Sequence, residues 1–141
     1  MNHFKINFSI VHDCDSPFKR NGHNNGMWTE NKKIRDAIQQ ARKDGLLVRH
    51  RISIPDFERF LGGEEESKDK PFNAFIRIQT DNNTKIIVQN LLDDLLTGEE
   101  HDCISSEKLA NQEYLDALLA DITQWANNNN LADDIRFFGK P

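Results

Sequence analysis

Apolar residues recur at two spacings along this chain, and the switches between them mark its elements. Phe4, Ile6, Phe8 and Ile10 alternate with Lys5, Asn7 and Ser9, which is the period of a half-buried strand. Asp13 to Gly26, rich in Asn, Gly and Asp, reads as a loop. A helix follows, capped by Thr29, striped by Ile34, Ala37, Ile38 and Ala41, and closed near Asp44 by Gly45. Leu46 to Ile54 forms a second strand, with Val48, His50, Ile52 and Ile54 on one face and Arg49 and Arg51 on the other. Pro55 ends it, Asp56 to Leu61 makes a short helical turn, and Gly62 to Pro71 is a loop.

Phe72 to Thr80 and Lys85 to Gln89 read as two strands joined at Asp81-Asn82-Asn83, a hairpin. Leu91, Leu92, Leu95 and Leu96 predict a short helix before Gly98. A longer helix starts near Ser105 or Ser106 and ends near Trp125. Leu115, Leu118, Ile122 and Trp125 form its stripe, which Leu119 and Ala126 widen. The run from Asn127 to Asn130 ends it, and Ile135 and Phe137 suggest a last strand. The order predicts a single α+β domain over 1–141. Its mainly antiparallel sheet has about five strands, with two longer helices packed on one face, a ferredoxin-like or related split β-α-β arrangement.

The 141 residues suffice for one core, and none of the apolar runs approaches the ~20 residues that span a bilayer. The start of the chain alternates polarity and lacks the apolar run of a signal peptide, so a cytoplasmic location is the expectation. A net charge of −5 disfavours a general nucleic-acid or anionic-membrane binder and suits a basic protein partner.

The tripeptide His-Asp-Cys occurs twice and contains both cysteines of the chain. His12, Cys14, His101 and Cys103 together are the right donor types for one tetrahedral zinc, although His-x-Cys directs two ligands inward less reliably than a Cys-x-x-Cys turn. The plain alternative is two unconnected loops and no cofactor. The segment from His12 to His23, with Asp13, Asp15 and Asn21, concentrates further groups suited to a metal or a phosphate. His50, alone on an apolar strand face, reads as a core histidine hydrogen-bonded to backbone.

Two surfaces complete the candidates. If helices cover one side of the sheet, Arg49, Arg51, Phe75, Arg77 and Lys85 form a basic face able to contact nucleic acid. Carboxylates cluster at Glu64-Glu65-Glu66, Asp93-Asp94 and Glu99-Glu100, a docking surface for a basic protein. With no catalytic motif in view, the reading is a small non-enzymatic module that docks onto and restrains a protein partner. Immunity proteins and phage-encoded inhibitors are of that general type. Nucleic-acid contact and metal binding are the alternatives. Oligomeric state is left open, because Leu91, Leu92, Leu95 and Leu96 suit a core or a dimer seam equally.

Overall fold

The computed structural model describes residues 5–19, 21–63, 68–99 and 109–131. The first half is a β-α-β unit: β1 (Phe8–Asp13), α1 (Glu30–Lys43) and β2 (Val48–Ser53). The strands pair in parallel, Phe8 opposite Val48 through Asp13 opposite Ser53. Four helices follow: α2 (Phe57–Phe60), α3 (Lys70–Thr80), α4 (Asn82–Thr97) and α5 (Asn111–Asn128).

This corrects the expected five-stranded antiparallel sheet with helices on one face. Among the described residues the sheet has two parallel strands, and the molecule is mainly helical. The last strand expected at Ile135 and Phe137 lies outside the described residues. The segments read as a hairpin are the helices α3 and α4. Phe72, Ala74, Ile76 and Ile78 do alternate, and Ile86-Ile87-Val88 favours strand on propensity, but both segments also fit a helical repeat. On α4 the residues turned from solvent are Thr84, Ile87, Val88, Leu91, Asp94 and Leu95, a three-four stripe sustained over 16 residues. Asp81 supplies the punctuation. Its carboxylate accepts from the backbone N–H of Asn83 and Thr84, a helix N-cap where a hairpin turn was expected. Asp and Asn suit both roles, because their short side chains satisfy local backbone in turns and caps alike.

The parallel pair carries helices on both faces. Inward positions of one face, with α1 and α5 over them, build two apolar clusters. One holds Ile38, Leu46 and Val48, the other Cys14, Ile52, Tyr114, Leu118 and Ile122. On α5 the fully buried stripe is Tyr114, Leu118, Ile122 and Ala126, one notch away from the expected one, and Leu119 is exposed. That helix begins at Asn111 and not near Ser105, and Glu113 accepts from the Ala110 N–H at 2.7 Å. α1 turns two polar residues inward. Asn31 donates to the Cys14 carbonyl at 2.8 Å, and Arg35 reaches the Leu109 carbonyl with its guanidinium 5.1 Å from the Tyr114 ring centre. Gly45, at φ +86°, reverses the chain from α1 into β2.

The opposite face lies against α4. Ser9 donates to the Leu95 carbonyl, Arg49 to the Gly98 carbonyl at 2.5 Å, and Arg51 pairs with Asp94. β2 is therefore covered on both sides, as strands of parallel sheets are. No described helix is long and apolar enough to cross a membrane.

Candidate functional site

Parallel strands end together, so the loops leaving them gather at one edge. In open α/β sheets this carboxyl edge is where ligands bind. Here β1 ends at Asp13 and β2 at Ser53. Two backbone bonds hold the departing loops side by side: Cys14 N–H to the Ser53 carbonyl at 2.9 Å, and Asp15 N–H to the Pro55 carbonyl at 2.7 Å. Asp15 takes a left-handed conformation, φ 61°, which Asp tolerates better than most residues. Asp56 caps α2 by accepting from the Arg59 N–H, and Asp13 accepts from the Phe57 N–H at 2.9 Å.

Four carboxylates thereby share this edge: Asp13, Asp15, Asp56 and Glu58. Burial pushes Asp13 upward from the ordinary carboxylate range, against the hydrogen bond from Phe57, and the nearby Asp15 and Glu58 push it further. Burial and repulsion from Asp56 raise Asp15. Burial also raises Asp56, although the Arg59 N–H and guanidinium oppose it. Glu58 differs: burial pushes it up, but Lys70 Nζ at 2.6 Å brings it below its ordinary value. That same bond raises Lys70. A cleft of about 300 Å³ opens beside these groups. Asp13, Glu58, Lys70 and Arg77 line it, with Phe57 and Pro71 among its apolar walls. Among the described residues, no three His, Cys, Asp or Glu side chains converge as a metal cage.

A second polar feature lies inside the sheet. His12 and His50 stack with ring centres 5.1 Å apart, and their Nε2 atoms stand 2.9 Å from each other. The His12 Nδ1 lies 2.9 Å from the Asp13 carbonyl, which only accepts, so Nδ1 carries the proton. His12 Nε2 is then the acceptor and His50 Nε2 the donor, an assignment made by the network. Burial lowers the His12 pKa, and the neighbouring His50 lowers it further, against the opposing Asp13 carbonyl. His50 is fully buried as expected, but its Nε2 meets a side chain.

The expected sites fare unevenly. Of the tetrahedral set, Cys14 is fully buried two residues from His12, while His101 and Cys103 lie outside the described residues. The basic face does not exist as a sheet surface. Arg49 and Arg51 turn inward against α4, Phe75 and Arg77 belong to α3, and Lys85 to α4. Of the acidic surface, Glu64, Glu65, Glu66 and Glu100 lie outside the described residues. Asp93 and Glu99 are exposed, and Asp94 is committed to Arg51. Asp56, Glu58 and Lys70 were not singled out from sequence. The signal available for them was strand-helix-strand order, which brings the residues after both strands to one edge if the strands are parallel.

No protein-family model, no curated protein and no solved structure matches the chain.

Proposed function

We propose that this protein binds a divalent cation together with a phosphate-bearing ligand at the carboxyl edge of its parallel strands. The observation that carries this reading is the gathering of Asp13, Asp15 and Asp56, each raised in pKa, beside a cleft lined by Lys70 and Arg77. Partly buried carboxylates that repel one another are relieved by a cation, and carboxylate oxygens suit a hard one. Mg²⁺ is commonly held by one or two carboxylates, several waters and the phosphates of its ligand, not by an all-protein cage. Asp13 and Asp15 would serve as that pair. Lys70 and Arg77 supply the charge that phosphate oxygens need on the other side.

Mn²⁺ binding followed by electron paramagnetic resonance tests this. About one ion per chain is expected, with affinity reduced roughly tenfold or more in Asp15→Asn, whose circular dichroism stays native. Pyrophosphate should bind only when the cation is present. An Mn²⁺ signal that stays free at all protein concentrations refutes the reading.

A second reading, docking onto a protein partner, draws support from a different surface than the acidic one. α3 and α4 expose the large apolar side chains of Phe72 (63%), Phe75 (54%) and Leu96 (71%), the kind of surface that partner-binding faces carry. A Phe75→Ser/Leu96→Ser variant should keep its melting temperature within about 2 °C, because these side chains are not core. Sedimentation velocity should then show less association than in the parent. A large loss of stability would make this face internal and remove the reading.

A further inference from the structure

The slot between α4 and the sheet contains a buried hydroxyl that has no partner among the described residues. Ser53 ends β2 on the α4 side, is 1% exposed, and its Oγ makes no hydrogen bond among the described residues. Buried polar atoms in native proteins are nearly always satisfied, so this one calls for a reason. The same Ser53 lines an open pocket of about 410 Å³, whose other walls include Phe60, Ile87 and Leu91, with the exposed Val11 and Asn90 at its rim. The volume lies within the usual span of small-molecule sites, and a mostly apolar wall with a few placed polar groups is their usual composition.

We infer that this cavity binds a small uncharged ring bearing an amide-type edge. Three features select that class. The walls are aliphatic and aromatic, which favours a flat apolar body that can lie along the Phe60 ring. The Ser53 hydroxyl both donates and accepts, as does the Asn90 amide, so the complementary edge carries a donor and an acceptor side by side. The one charged pair in the wall, Arg51 with Asp94, is already matched, and a charged ligand would bring an uncompensated charge into a site built mostly from apolar groups. The cavity is distinct from the carboxylate edge, and its ligand needs no cation.

Nitrogen-15 NMR titration of the whole chain in a chelator tests the inference with three probes: benzamide, ethylbenzene and benzoate. Benzamide should give saturable shifts at the amides of Val11, Ser53, Ile87 and Leu91, with ethylbenzene and benzoate weaker. Ser53→Ala should weaken benzamide about fivefold, as loss of one neutral hydrogen bond does, and leave ethylbenzene unchanged. Equal affinities for benzamide and ethylbenzene in the parent would reduce the site to an apolar dent and overturn the inference. So would the absence of saturable shifts at these four positions. The comparison among probes is made on the parent protein and does not depend on the variant folding. Because a chelator is present, a positive result stands whether or not Mn²⁺ binds Asp13 and Asp15.

Discussion

Leu118→Ala lowers the stability of this protein by about 3 kcal/mol. Leu118 is fully buried in the cluster formed with Cys14, Ile52, Tyr114 and Ile122. Truncation there removes the transfer free energy of three carbons and leaves a cavity that rigid neighbours on α5 and β2 fill only in part. The next residue is the control. Leu119, 37% exposed, should cost under about 0.5 kcal/mol on the same change. Urea denaturation measures both. For a chain of this length the Leu118 variant should also melt roughly 10 °C lower. Equal effects at 118 and 119 would mean that α5 is rotated from the orientation described.

His50→Ala should cost a similar amount, about 3 kcal/mol, by a different route. It empties the space of a fully buried imidazole and removes the donor to His12 Nε2, leaving a half-buried acceptor unpaired. His50→Gln keeps an N–H near the same place and should recover part of the loss. The pair also makes stability depend on pH in a defined direction. Burial holds the His12 pKa below its ordinary 6.5, so just below that pH the unfolded chain binds more protons than the folded one. Stability therefore falls as pH drops beneath 6.5, down to the lowered folded value. The raised carboxylates act in the opposite sense. Asp13, Asp15 and Asp56 bind protons more readily when folded, so they favour folding as pH falls from their raised values towards 3.8. A His12→Gln variant separates the two effects. Its melting temperature should fall less between pH 7.5 and 5.5 than that of the parent, since the carboxylates titrate in both proteins. Identical falls would show that His12 does not set this dependence.

His12 is one residue before Asp13, and its ring bonds to the Asp13 carbonyl. Asp13 in turn accepts from the start of α2, which carries Glu58. The carboxylate edge is thus fastened to the interior of the sheet by the histidine pair. Its geometry depends on burial of groups that touch no ligand, as a site needing fixed side chains requires.

Some of this was legible along the chain. α1 and β2 followed from spacing and from Gly45 and Pro55, because each has one dominant period and a clear stop, whereas the strand expected from Phe4 to Ile10 begins at Phe8 among the described residues and runs on to Asp13. The short turn at Asp56 and the stripe through Leu118 and Ile122 were legible for the same reason. The segment from His12 to Asp15 stood out by its residue types. What failed was ambiguous locally: Phe72–Thr80 satisfies a period of two and a period near 3.6 at once, and Asp81-Asn82-Asn83 suits a hairpin turn or a helix cap. Packing of one continuous α4 against the sheet resolved both, since Thr84, Ile87, Leu91 and Leu95 share a face only if the chain is helical. Strand direction was beyond reach as well. A strand-helix-strand order is compatible with parallel pairing or with other strands between, and only the register of Phe8 with Val48 through Asp13 with Ser53 fixes it. Spacing along the chain yields α1, β2 and part of β1, together with the stock of chemical groups. The tertiary structure decided which groups meet: Asp13, Asp15, Asp56 and Glu58 share an edge because parallel strands end together, and His12 faces His50 because neighbouring strands place inward side chains on one side of the sheet.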